Sequence, residues 1–211
     1  MKCLNQFITE YIVNKKLDKP INSEDHYEYY PETKDELRKN IIECIKNDKY
    51  DLNCIDTSKI TDMSYLFGSL NNVPIQSINF DVSEWDVSNV EYMQHMFSYC
   101  KNFNCDLSKW DVSNVNTMER MFHGCEIFEG KGLENWNVSN VDNMSNMFFN
   151  CKKFDCDLSN WNISNVKFME RMFYNCKKFK VDCLENWKIT TKVSKRNIFY
   201  GTKNTPSWYK K

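Results

Sequence analysis

The sequence predicts an α/β repeat solenoid. This is a stack of about six coils of 25–26 residues, each a short strand plus a short helix, closed at its N-terminal end by a capping helix. Three observations predict it. Trp85, Trp110, Trp136, Trp161 and Trp187 recur at intervals of 25, 26, 25 and 26 residues. Four units match W-[DN]-[VI]-S-N-V-x-x-M-x-x-M-F-x-x-C-x-x-F at every fixed position. Within each unit the hydrophobic spacing changes from a period of two to one near 3.6.

At the N-terminus, Leu4, Phe7, Ile8, Tyr11 and Ile12 fall on one face of a short amphipathic segment. Polar, proline-containing sequence follows, so residues 1–30 read as a tail and linker. Thr33 and Glu36 have capping-box spacing, and Leu37, Ile41, Cys44 and Ile45 form one stripe. Residues 31–50 are therefore expected to hold a capping helix that plugs the open end of the stack.

The repeat occupies residues 51–201, with 202–211 as a C-terminal tail that covers the last coil. A degenerate first unit, "IDTSKITDMSYLF", puts Ile55 where the tryptophan belongs and lies 30 residues before Trp85. A degenerate last unit keeps Trp187, Ile198 and Phe199 but loses the cysteine, as capping units do.

Inside a unit, Trp110 and Val112 share one face of an extended piece while Asp111 and Ser113 take the other, which predicts a strand of three to five residues. Val115, Met118, Met121, Phe122 and Cys125 then fall on one helical stripe, which predicts a short helix. Ser113 is placed to cap that helix, and Ser88 with Glu91 has capping-box spacing. The positions Gln94/His95, Glu119/Arg120, Ser145/Asn146 and Glu170/Arg171 vary as a solvated helix face should.

Composition narrows the function classes. Acidic and basic residues number 29 and 28, so no overall field favours nucleic acid as a partner. No apolar run has the length of a bilayer span or a secretory signal, so membrane insertion is not expected. The expected location is cytoplasmic or virion-associated, with the cell surface as the lesser expectation. Ten cysteines in a long, regular chain are expected to be reduced thiols.

The repeat string closely resembles the repeats of BspA-like leucine-rich-repeat surface proteins and of the mycoplasma lipoprotein repeat family of unknown function. The likeness covers about residues 51–201, and the entry through "YYPETKDELRKNIIECIKN" resembles that family's N-terminal cap. It implies a leucine-rich-repeat-like architecture and a binding module with no catalytic residues. One departure stands out: the ladder asparagine of ordinary leucine-rich repeats falls on Val115, with Asn114 one position early.

The extreme N-terminus is similar to the capsid-targeting peptides of internal head proteins of large tailed phages. Those begin M-K, carry F-I and are cut after I/L-x-E, here Ile8-Thr9-Glu10 with cleavage after Glu10. A docking helix without cleavage is the alternative.

Neither a metal nor a cofactor is expected. Cys100, Cys125, Cys151 and Cys176 occupy one repeat position and Cys105 and Cys156 a second, columns that run along the stack and do not converge as zinc ligands do. They read as core residues fitting under the next helix. His26, His95 and His123 sit in unrelated contexts and read as solvent-facing. With no P-loop and no catalytic spacing, an enzyme is not expected.

The candidate binding residues are Asp86, Ser88, Asp111, Ser113, Asn137, Ser139, Asn162 and Ser164. With Lys188 and Thr190 they form polar columns beside the tryptophans, graded from acidic to basic. Two readings stay open: a recognition face, or side chains that cap and bond the turns. The expected function is non-enzymatic binding of an unidentified protein or glycan through the polar strand face or loops. The alternatives are an internal or structural phage protein and a surface-displayed adhesin-like protein.

Overall fold

The computed structural model describes residues 27–70, 73–189 and 192–209. It overturns the predicted strand-plus-short-helix solenoid. Among the described residues the one α-helix is α1, Lys34–Lys46. Beyond it there are short 3-10 stretches at Ile75–Ser77, Leu133–Asn135 and Val181–Leu184, and parallel pairing occurs only as isolated bridges. The repeats are built from successive turns.

The burial pattern nevertheless follows the sequence. Trp110, Val112, Val115, Met118, Met121, Phe122 and Cys125 are all buried, as are their counterparts in the neighbouring units. A spacing of three and four suits a helix, but it also suits a chain of i to i−3 turns, and here the turns form. The N–H groups of Met121, His123 and Cys125 donate to the carbonyls of Met118, Arg120 and Phe122, at 3.1, 3.1 and 3.0 Å. The intervening N–H groups of Met118, Arg120, Phe122 and Gly124 donate sideways to Asn143, Ser145, Met147 and Phe149 of the next unit, at 2.9, 3.0, 3.0 and 2.7 Å.

An α-helix sends every N–H four residues back along its own chain, so this strict alternation is incompatible with one. The alternation needs left-handed backbone at two places per unit. Tyr65, His95, Arg120, Asn146, Arg171 and Asn197 have φ between 52° and 58°, and Tyr99, Gly124, Asn150, Asn175 and Gly201 lie between 59° and 80°. Glycine and asparagine enter that region most readily, and they fill four of the five second positions.

The predicted strand also breaks into turns. Trp110 N–H donates to the Leu107 carbonyl and Val115 N–H to the Val112 carbonyl, so Leu107 to Val115 never extends far enough to pair along its length. Ser88 does not cap a helix. Its N–H and hydroxyl both donate to Asp86 Oδ1, and the spacing to Glu91 has no helix to serve.

Each unit hands polar atoms to the unit before it. The indole N–H groups of Trp85, Trp110, Trp136, Trp161, Trp187 and Trp208 donate to the carbonyls of Leu52, Val82, Leu107, Leu133, Leu158 and Leu184, at 2.7 to 3.2 Å. Phe97, Phe122, Phe148, Phe173 and Phe199 form a stacked column with centroids 5.5 to 5.8 Å apart. Within units, Phe97–Phe103 and Phe122–Phe128 stack at 4.1 and 4.2 Å.

Extra residues are absorbed at one place in the unit. The stretches Leu133–Asn135 and Val181–Leu184 lie in the two 26-residue intervals, and Ile75–Ser77 lies in the 30-residue one. Gly132, at φ 93°, lets the first of these pass close over the preceding unit.

Helix α1 lies over the first unit. Thr33 Oγ1 accepts from Glu36 N–H at 3.2 Å, while the Glu36 carboxylate accepts from Glu32 N–H at 2.8 Å. Leu37, Ile41, Cys44 and Ile45 are buried, Lys34 pairs with Asp62, and Arg38 donates to the Tyr65 carbonyl.

Gly132 gives a direct test. A Cβ there would meet Ser108 N at 2.2 Å and the Leu107 carbonyl carbon at 2.7 Å, both rigid backbone. Gly132→Ala is expected to destabilise the fold by more than ~1 kcal/mol, because the new methyl adds a clash to a positive φ. Urea unfolding of the variant beside the parent checks this.

Candidate interaction surface

The eight predicted binding residues lie in one column on the surface. Asp86, Asp111, Asn137, Asn162 and Ser164 are exposed, and Ser88, Ser113 and Ser139 are half-buried. Each acidic or amide side chain closes a turn with the serine two residues on. Asp86, Asp111, Asn137 and Asn162 accept from the N–H of Ser88, Ser113, Ser139 and Ser164 at 3.0, 3.0, 3.2 and 3.1 Å. These hydrogen bonds hold the Asp111 carboxyl below its ordinary pKa, the Ser113 hydroxyl contributing most.

A neighbouring asparagine fixes each turn to the previous unit. Asn89, Asn114, Asn140 and Asn165 donate through Nδ2 to the carbonyls of Ser58, Ser88, Ser113 and Ser139, at 2.6 to 2.8 Å. The polar column is therefore a row of bonded turns, and the side chains that face solvent are held in place by the backbone beneath them. Asp86 and Asp111 each use one carboxylate oxygen in the turn. Lys188, further along the same column, is exposed; Thr190 and the processing residue Glu10 lie outside the described residues, as does His26.

The helix face expected to be solvated is partly buried. Ser145 is 8% exposed, and Glu170 accepts from the Ser145 hydroxyl at 2.7 Å and from Ser194. Since the chain turns inward here, these polar groups join successive units.

His95 and His123 are likewise not solvent-facing. Both are half-buried in ring stacks, His95 on Tyr65 at 4.4 Å and His123 on Phe149 at 4.6 Å. Desolvation, with the nearby Arg120 cation second, lowers both pKa values, that of His123 to about 4.

His123 belongs to an outward column that the repeat pattern does not announce. Tyr99, His123, Phe149, Tyr174 and Tyr200 succeed one another at 5.0, 4.6, 4.6 and 4.7 Å. The signal was present at the position after the fixed phenylalanine, where His123, Phe149, Tyr174 and Tyr200 follow one another. Tyr99 and Tyr200 at its ends are 54% and 62% exposed.

The cysteine column has a bonding role that "small and apolar" does not describe, and no helix lies above it. The thiols of Cys125, Cys151 and Cys176 donate to the carbonyls of Phe97, Phe122 and Phe148 at 3.1, 3.0 and 2.9 Å. Burial pushes the Cys100 thiol up to about 12 and raises Cys125, Cys151 and Cys176 well above the ordinary thiol value. All the described cysteines are free thiols, and among the described residues no three His, Cys, Asp or Glu side chains converge as a metal site would require. No helix among them is long and apolar enough to cross a membrane.

What these features describe is a repeat protein whose units share one bonding scheme. The profile of a family described as "Mycoplasma protein of unknown function, DUF285" matches the chain twice, over residues 36–132 and 110–210, and the chain belongs to that family. No curated protein and no solved structure matches it.

Two pH effects follow, with opposite signs. The folded state favours neutral His123, so its contribution to stability is lost as pH falls from 6.5 toward about 4. It also favours the neutral Cys100 thiol, so that contribution is lost as pH rises from 9 toward about 12. Chemical unfolding across pH should show His123→Phe flattening the acid limb alone. Native Cys100, Cys125, Cys151 and Cys176 should resist iodoacetamide at pH 8 and react once unfolded.

Proposed function

We propose that the protein is a non-enzymatic interaction module that binds a protein or glycan through its outward polar column, Asp86 to Ser164. The observation that carries this reading is the bonded turn under each exposed side chain. A contact group already held by its own backbone loses little conformational freedom on binding, so more of each contact survives as affinity. The column runs from Asp86 and Asp111 through Asn137 and Asn162 to Lys188, so a partner would meet a graded field and dock in one orientation.

The chemistry of the remaining groups supports a binding role. Thiols with raised pKa values are poor nucleophiles, and a histidine titrating near 4 is a poor base at neutral pH. The likeness of the repeat to BspA-like surface proteins supports the same reading.

Alanine substitution would remove the turn bonds together with the contacts, so charge removal is the cleaner test. The double variant Asp86→Asn/Asp111→Asn keeps an oxygen for each serine N–H. It should melt with the parent, yet bind a partner cross-linked from native-host extract or selected on a glycan array about tenfold more weakly, ~1.4 kcal/mol. Equal binding at equal stability removes this column as the contact face.

A further inference from the structure

The last unit ends in a row of backbone donors that the described chain leaves open. The N–H groups of Met169, Arg171, Phe173 and Asn175 donate to the carbonyls of Ser194, Arg196, Ile198 and Tyr200 at 2.9, 3.0, 3.0 and 2.7 Å. One repeat further on, the equivalent groups are the N–H of Lys195, Asn197, Phe199 and Gly201. Among the described residues none of these four has an acceptor. They border an open groove of about 1150 Å³ whose lining includes Lys195, Arg196, Asn197, Tyr200 and Lys203.

The same end is closed to hydrophobic contact. Phe199 is only 4% exposed, because Trp208 and Tyr209 pack against it edge-on at 5.8 and 5.2 Å. Tyr200 stacks on Tyr174 and has no second ring partner among the described residues. The edge thus offers hydrogen-bond donors, positive charge and one free aromatic face, while its apolar core is sealed.

We propose that this edge takes up an acidic peptide segment of another protein that adopts the same i to i−3 turns as a repeat unit, its alternate carbonyls accepting the four N–H groups as one more parallel layer. Geometry and charge together select that occupant. A second copy cannot add its first unit here, because α1 covers that unit through Lys34 and Arg38. Two copies meeting edge to edge would set N–H rows against N–H rows. A lone oxyanion can engage only a neighbouring pair of donors in a row that runs from Lys195 to Gly201 on alternate residues. Lys195, Arg196 and Lys203 line the groove against the single carboxylate of Asp182, which favours acidic side chains at the rim. An aromatic residue in register would continue the Tyr174–Tyr200 stack. This site is separate from the polar column and stands without it.

Amide hydrogen exchange tests the proposal directly. The probe is a synthetic peptide of this chain's residues 142–150 with two glutamates added at each end. In the native structure the carbonyls of Asn143, Ser145, Met147 and Phe149 in that stretch receive such a donor row. In the free protein the N–H groups of Lys195, Asn197, Phe199 and Gly201 should exchange far faster than those of Arg171 and Phe173. With peptide at saturation all four should slow at least tenfold, and Lys195→Glu/Arg196→Glu should weaken binding at least tenfold with no change in melting temperature. Protection already present in the free protein, or unchanged exchange at millimolar peptide, overturns the proposal. So does equal protection of all four groups by inorganic phosphate alone, which would make this an anion site, and so does equal binding of a lysine-flanked peptide.

Discussion

Everything in this fold depends on how the backbone amides from Met118 to Cys125, and their counterparts in each repeat, divide their hydrogen bonds. Every second N–H turns back within its own unit and every other one reaches into the next. Buried backbone groups must be paired, so a unit with no neighbour would leave half of these donors orphaned. A single repeat therefore has no stable form of its own, and the order of the chain comes from contact between units. The side chains follow the same rule. Indole N–H, thiol S–H and asparagine Nδ2 groups each satisfy a carbonyl of the unit before, which explains the fixed tryptophan, cysteine and asparagine better than their size or hydrophobicity does.

Much of this was legible in the sequence, and the part that was not has a physical cause. Burial was legible residue by residue, because a side chain's need to leave water does not depend on which backbone carries it. The helix α1 was legible because Thr33, Glu36 and the stripe from Leu37 to Ile45 act locally. The backbone of the repeat is not legible in the same way, because apolar spacing of three and four fits both a helix and a run of i to i−3 turns. What separates the two is the residue before each cysteine. Gly124, Asn150 and Asn175 occupy a column that tolerates positive φ, and a helix has no use for such a column.

The candidate face shows a similar split. That Asp86, Asp111, Asn137 and Asn162 share a column followed from the repeat alone. Their bonds to Ser88, Ser113, Ser139 and Ser164 were foreshadowed by the [DN]-x-S spacing, which is that of a side chain closing a turn on the amide two residues on. The open donor row at Lys195 to Gly201 could not be read from sequence, because it depends on the direction in which the units donate. The aromatic column through His123 is hard to read from sequence because its members differ in kind, and because Tyr99 enters it from one position later in the repeat than His123, Phe149, Tyr174 and Tyr200.

The 3-10 stretches at Ile75–Ser77, Leu133–Asn135 and Val181–Leu184 have a consequence for how such a chain can change over time. They sit where the longer intervals store their additional residues, in the return from the phenylalanine and thiol columns to the next tryptophan, and the Leu133 and Leu184 carbonyls within them still accept the indole N–H groups of Trp161 and Trp208. A one-residue insertion between Trp110 and Cys125 would throw every following ladder out of alignment with its neighbour. The 26-residue intervals already hold one more residue between cysteine and tryptophan, and they do so with Leu133 still buried and still bonded to the Trp161 indole. New recognition elements can therefore be grafted at that one point of each turn of the repeat while the interlocked interior goes on being copied unchanged.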